Sequence, residues 1–186
     1  MEQKLQLIRG ARILQQLAED STPLELERNI AKGFPQTTKR QHATDPVRIV
    51  QIKYVPFEAN KELKVTAIAS SAGKNYDTVI QFNDVEFQPE DLPTNTTFIA
   101  ADNETYNILP ISLSTHTVKI RCDCLDFYHR FAMWNFNDSS LYGPKMPTYI
   151  RKTTTRPDVN PLRVPGVCKH VLRTLMALRD AGMITK

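Results

Sequence analysis

Two short Cys/His pairs with the same spacing most constrain the fold of this 186-residue sequence. One residue separates Cys122 from Cys124. Cys168 and His170 repeat that spacing after the intervening residues 125–167. The first pair follows an alternating β-type segment, and period-two geometry at a strand end points both sulfurs to one face. In a helix body, positions i and i+2 diverge by about 200°. We therefore expect the second pair in the turn that enters the last helix.

Metal binding accounts for these cysteines better than disulfide formation. The sequence has three cysteines, so any disulfide leaves one thiol over, and a bond between Cys122 and Cys124 would be strained. With Cys168 and His170 they form a closed tetrahedral set, which is typical of one structural Zn²⁺ ion. The alternatives are free buried thiols with an incidental histidine, or His129 as a ligand.

Patterning along the chain predicts an α+β fold, with N-terminal helices, a small, mainly antiparallel β-sheet and a C-terminal ββα-like zinc module. Apolar spacing predicts helices over residues 2–19 and 23–32. Together they would form an N-terminal helical arm, residues 1–34, which packs on its own domain or docks on a neighbour. Residues 47–115 form short β-type runs between turn residues, which predicts a small β-sheet domain of five or six strands.

The remaining segment, residues 116–186, is predicted to be the zinc module with a long basic and aromatic insert. It begins with a strand over residues 117–122. It ends with an amphipathic helix over residues 168–181, where Gly182 fits the position after the helix and Met183 can make the accompanying apolar contact.

The ligand pairs, with a strand before and a helix after, resemble the SWIM-type zinc finger. The resemblance rests on Cys122-Asp123-Cys124, on Cys168-Lys169-His170 and on Asp126-Phe127, and covers roughly residues 116–182. It implies that the four Cys and His residues bind zinc in a small β–β–α unit, and that this unit binds proteins or DNA. SWIM modules generally have a shorter stretch between the pairs. The long insert resembles that of the SWIM-like proteins of tailed bacteriophages.

The insert is the candidate partner-binding segment, because it concentrates basic and aromatic side chains among prolines that favour an extended strap. Such residues are enriched in protein interfaces. They can also bind phosphates and stack on bases without sequence preference. A plain solvated loop is the third interpretation. The candidate residues are Trp134, Tyr142, Lys145, Tyr149, Arg151, Lys152, Arg156 and Arg163.

These features predict a non-enzymatic structural protein that contacts other subunits of a larger assembly. The phage resemblance implies a virion assembled in the host cytoplasm, and otherwise we expect a cytoplasmic protein. The sequence has no glycine-rich phosphate loop, nucleophile elbow or zinc-protease motif, so we expect neither catalysis nor a small-molecule substrate. A membrane partner is not expected either, since no apolar run reaches about 18 residues. The alternative is a SWIM-type nucleic-acid-binding accessory or regulatory protein, which the net charge of +4 does not indicate by itself.

Overall fold

The computed structural model describes residues 21–33, 47–150, 152, 155 and 158–185. The helices in these ranges are α1 (Pro23–Gly33), α2 (Leu125–Arg130), α3 (Ala132–Asn137) and α4 (Lys169–Asp180). The strands are β1 (Arg48–Phe57), β2 (Glu62–Ser71), β3 (Lys74–Phe82), β4 (Phe87–Gln88), β5 (Thr96–Ile99), β6 (Thr105–Ile108), β7 (Ile111–Ser112), β8 (Val118–Cys122) and β9 (Ile184–Thr185). The predicted helix over residues 23–32 is confirmed as α1. The one predicted over residues 2–19 lies outside the described residues.

A four-stranded antiparallel sheet in the order β1-β2-β3-β8 lies at the centre of the structure. Alternate residues of β2, among them Leu63, Val65 and Ala67, are buried. Such alternation is typical of a sheet with one face on the core and the other in solvent. Helix α4 packs against this sheet, and the register pairs Ile80 of β3 with Ile120 of β8. The ligand-bearing strand is therefore an integral edge of the main sheet.

One hydrophobic core joins the N-terminal, central and C-terminal parts of the described chain. It includes Leu26 of α1, Phe98 of β5, Phe127 of α2 and Leu178 of α4. The predicted division into an arm, a sheet domain and a zinc module stays a prediction, but these parts share buried contacts in the structure.

Two details of the β-structure differ from the sequence-based expectation. In the sequence, Gly73-Lys74-Asn75 is typical of a hairpin turn, but the β2–β3 turn consists of Ala72 and Gly73, with φ of 52° and 71°. Two left-handed residues match the strand twist in a two-residue hairpin, so Lys74 already belongs to β3. The second difference is β9, which was not predicted and pairs in parallel with β7.

The C-terminal end of α4 confirms the predicted glycine stop. Gly182 has a φ of 72°, and its N–H donates to the carbonyl of Arg179. The N–H of Met183 donates to the carbonyl of Leu178, and the Met183 side chain is buried. These paired bonds form a Schellman motif, which directs the chain into β9.

The insert begins with two short helices, α2 and α3, which were not predicted from the sequence. Asn135 of α3 is fully buried and bonds both backbone groups of Gly166: its amide donates to the carbonyl at 3.1 Å, and its Oδ1 accepts the N–H at 2.8 Å. Phe131 packs beside Gly166, where an added Cβ would lie 2.7 Å from the ring. The start and the end of the insert are therefore held together by direct contacts.

We predict that Asn135→Ala lowers the free energy of unfolding by about 2–3 kcal/mol, because it leaves the buried N–H and carbonyl of Gly166 without partners. Denaturant unfolding measures the change. Asn137→Ala is the control, since Asn137 ends the same helix and is exposed, and it should cost less than about 0.5 kcal/mol. Equal losses in the two variants would contradict the assigned role of Asn135.

Candidate metal centre

Cys122, Cys124, Cys168 and His170 converge in the interior of the structure. One ligand atom from each lies within 4.8 Å of the others, and all four residues are buried. The Nδ1 atom of His170 is 3.8 Å from the sulfur of Cys122 and 4.0 Å from that of Cys168. A tetrahedral zinc ion with usual bond lengths separates sulfur and nitrogen ligands by about 3.6 Å. The cluster therefore fits one metal ion after a small contraction.

The first pair lies where β8 passes into α2. Cys122 is the last residue of β8, on its buried face, and Cys124 is the N-cap of α2. The backbone at Cys124 is extended, with φ −69° and ψ 144°, so the strand alternation continues one step beyond the strand. The sulfur of Cys124 accepts the N–H of Phe127 at 3.3 Å. The same sulfur thus caps a helix and faces the cluster.

The second pair lies at the start of α4. Cys168 is its N-cap, with an extended backbone of φ −82° and ψ 169°, and His170 is the second helical residue. We expected both residues in the entering turn, but His170 lies within the first turn of the helix. The divergence expected inside a helix does not arise, because the extended Cys168 does not follow the helical rotation.

Residues outside the tetrad hold the imidazole and the start of α4 in place. The ring of Tyr76, on β3, stacks on His170 with the centroids 4.1 Å apart. The Thr174 hydroxyl donates to the His170 carbonyl at 3.1 Å and lies 3.0 Å from the Thr78 hydroxyl of β3. These contacts were not predicted from the sequence, although β-strand alternation places Tyr76 and Thr78 on the same face of β3 as the buried Ile80.

Asp123, between the first two ligands, fixes this corner to β3. The backbone N–H of Asp77 donates to its carboxylate at 3.1 Å, and its own N–H donates to the Asp77 carbonyl at 3.2 Å. Burial raises the pKa of Asp123. The residue that separates the two cysteines is therefore a structural anchor in β-type pairing with the adjacent strand.

The three sulfurs interact strongly with one another. Hydrogen bonds with Cys122 and then Cys168 lower the pKa of Cys124 well below its usual range. The hydrogen bond with Cys124 raises the pKa of Cys122, and burial raises that of Cys168. The three sulfurs are thus coupled through shared protons. A divalent cation would take the place of the shared protons, so metal binding releases protons.

His129, the alternative ligand, lies outside the cluster. It belongs to α2, and its ring lies 4.2 Å from that of Tyr149. Among the described residues, the tetrad is the only group of three or more His, Cys, Asp or Glu residues that brings its ligand atoms this close together.

Several predicted partner-binding residues of the insert contact other residues of the chain. The guanidinium of Arg163 lies 5.8 Å from the ring centroid of Trp134, and Tyr149 packs on His129. Both Trp134 and Tyr149 are half-buried. Their rings are therefore partly occupied by neighbouring side chains.

The other candidate residues of the insert are more dispersed. The N–H of Tyr142 donates to the carbonyl of Ile120 at 3.0 Å, which places residues 141–142 beside β8. The Nζ of Lys145 lies 5.0 Å from the ring centroid of Phe136, and Lys145 and Lys152 are exposed. Arg151 and Arg156 lie outside the described residues.

Comparisons of the chain with protein-family models, with curated proteins and with solved structures gave no match. Within the described part of the chain, no helix is long and apolar enough to cross a membrane. The geometry of the tetrad thus supports metal binding, whereas the SWIM and phage resemblances rest on the sequence pattern alone.

We predict about one zinc ion per chain, with His170→Ala and Cys168→Ser each strongly weakening binding because each removes a ligand. Elemental analysis and the absorption of a Co²⁺-substituted sample, which reports thiolate ligation and tetrahedral geometry, measure this. His129→Ala is the matched control and should retain the metal. A folded chain that stays metal-free in excess zinc would contradict the site, and so would equal losses in the two histidine variants.

Proposed function

We propose that this chain is a non-enzymatic, zinc-stabilised structural protein that contacts other subunits of a larger assembly. The buried tetrad carries the proposal: its four residues are at most 3% exposed. Three thiolates and one imidazole complete a tetrahedral zinc site and leave no position for water or substrate. The ion would therefore stabilise the structure and take no part in catalysis.

The tetrad is placed to join the two ends of the insert. Its first pair lies at the junction of β8 and α2, and its second pair at the start of α4. A metal ion that closes a long loop offsets much of the entropy of ordering it. We infer that zinc holds residues 125–167 closed between the sheet and α4.

Exposed apolar side chains of the insert support protein contacts. Leu125 is 69% exposed, Phe136 41%, Ile150 81% and Leu162 58%. Phe131, in the same segment, is buried, so the insert is anchored by some apolar residues and presents others. A protein partner at the insert would bury these side chains. The finer proposal, a component of a tailed-phage virion, draws on the resemblance of the ligand pairs and the long insert.

Nucleic-acid binding is the second candidate function. The exposed Lys145 and Lys152 of the insert favour it, while the contacts that Trp134 and Tyr149 make within the chain reduce the aromatic surface open to bases.

The closing role of zinc is tested by hydrogen–deuterium exchange before and after chelation. We expect metal removal to raise exchange in α2, in α3 and in the first turn of α4, because the tie between them is lost. The β5–β6 hairpin, which supplies no ligand, should exchange as before and serves as an internal control. An unchanged insert would contradict the proposed role of the ion.

The assembly role is tested by sedimentation of particles from the source cells. Wild-type protein should sediment with a defined assembly, and Ile150→Asp/Leu162→Asp should move to the unassembled fraction, since buried carboxylates are costly at an interface. Leu92→Asp/Ile99→Asp changes two exposed residues outside the insert and should assemble normally. Cross-links from Lys145 or Lys152 to one partner would identify the contact. A wild-type chain that remains an isolated monomer in the cell would contradict the proposal.

A further inference from the structure

The face of the main sheet that points away from α4 carries four basic residues in two adjacent rows. One row runs across the strands as Lys53, Thr66, Val79 and Arg121. The next row runs as Val55, Lys64, Gln81 and Lys119. Each row thus holds two positive charges. We call Lys53, Lys64, Lys119 and Arg121 the basic sheet face.

The side chains of this face are at least partly exposed. Its residues alternate with the buried residues of the same strands, such as Val65 and Ile120, which pack on the core below. Lys53 is exposed, and Lys64, Lys119 and Arg121 are partly exposed. Helix α4, which contacts β1, β2, β3 and β8, lies with the buried face.

The charges of the basic sheet face are not neutralised by neighbouring carboxylates. Among the described residues, none of its four members forms an ion pair with an acidic group. The acidic positions of this face lie to either side of the two rows: Glu62 at one end of β2, and on the other side Asp77, which is paired with Ile68, and Asp123, which is hydrogen-bonded to Asp77. Strand spacing makes the surface about 14 Å wide, with the rows about 7 Å apart. The result is a surface with four positive charges in the two central rows and acidic side chains only beyond them.

Arg121 connects this surface to the insert. Its guanidinium donates to the carbonyl of Pro144 at 2.7 Å, which is a neutral acceptor and not a counter-ion. The N–H of Ile120 donates to the carbonyl of Ser140 at 2.8 Å, so the insert runs along the outer edge of β8. Lys145 follows Pro144 directly in the chain and is exposed.

We propose that the basic sheet face binds the phosphate backbone of nucleic acid. Lysine and arginine neutralise phosphates, and hydroxyl and amide side chains such as those of Thr66 and Gln81 donate to phosphate oxygens. The two rows hold no aromatic residue, and the one ring beside them, that of Phe57, lies 5.5 Å from the Nζ of Lys64, so the surface lacks the cluster of aromatic anchors typical of a protein interface core. Binding is therefore independent of base sequence. This site uses neither the zinc ligands nor the exposed apolar residues of the insert.

The test is fluorescence anisotropy of the zinc-loaded full chain with a labelled duplex DNA of arbitrary sequence, across a salt series. Four phosphate contacts give a slope of log K against log salt of about −3.6. Lys53→Gln/Lys64→Gln should reduce it to about −1.8 and weaken binding at least about tenfold at 0.1 M salt. Lys53→Arg/Lys64→Arg, which keeps both charges, should bind like wild type.

Two controls follow. The first tests whether binding depends on this face or only on the net charge of the protein, and the second tests whether the face prefers nucleic acid to an acidic polypeptide. Arg28→Gln/Lys74→Gln removes the same charge from exposed residues elsewhere and should leave the slope unchanged. Polyglutamate at matched charge concentration should compete poorly. The proposal is overturned if no salt-dependent binding occurs at 50 mM salt, if both glutamine double variants lose the same slope, or if polyglutamate displaces the DNA equally. Circular dichroism and metal content confirm that each variant is folded.

Discussion

The convergence of three sulfurs and one imidazole is the constraint on which the arrangement of this structure depends. Cys122 ends a central-sheet strand, while Cys124 and Cys168 are N-caps of two different helices. Bringing these sulfurs together fixes how the sheet, α2 and α4 meet. If they were ionised together, the buried sulfurs would repel one another, and the opposed pKa shifts of Cys122 and Cys124 reflect this coupling. A bound cation thus relieves an electrostatic conflict that the fold itself creates.

The sequence predicted those strands and helix ends whose formation depends on nearby residues. The β-type runs predicted over residues 47–115 include β1 and β2, the strand predicted over residues 117–122 corresponds to β8, and the glycine stop of α4 followed from residue chemistry. Helices α2 and α3 were missed because each has only six residues and because a buried Asn135 occupies a position in the stripe that begins with Phe127 and Phe131. An apolar stripe at helical spacing, broken by one polar residue, was the available signal.

The basic sheet face could not be predicted from the sequence, for a different reason. Lys53 and Arg121 are far apart in the chain, and only the register of β1, β2, β3 and β8 places them in one row. A shift of one residue in any pairing would move its charges to the opposite face. The net charge does not predict such a cluster, since the same charge of +4 could be spread evenly over the protein surface. The candidate metal ligands could be predicted from their spacing in the sequence, whereas the basic sheet face becomes visible only when the pairing of the strands is known.

The hydrogen bond from the Arg121 guanidinium to the Pro144 carbonyl joins the two candidate binding regions, the basic sheet face and the insert. A subunit that displaced the Pro144 carbonyl would release this guanidinium, and a phosphate that recruited the guanidinium would loosen the insert beside β8. Occupancy of one region would then change the affinity of the other by a reciprocal factor, because linkage between binding free energies is symmetric. A single side chain would thus set the cooperativity between the two partners.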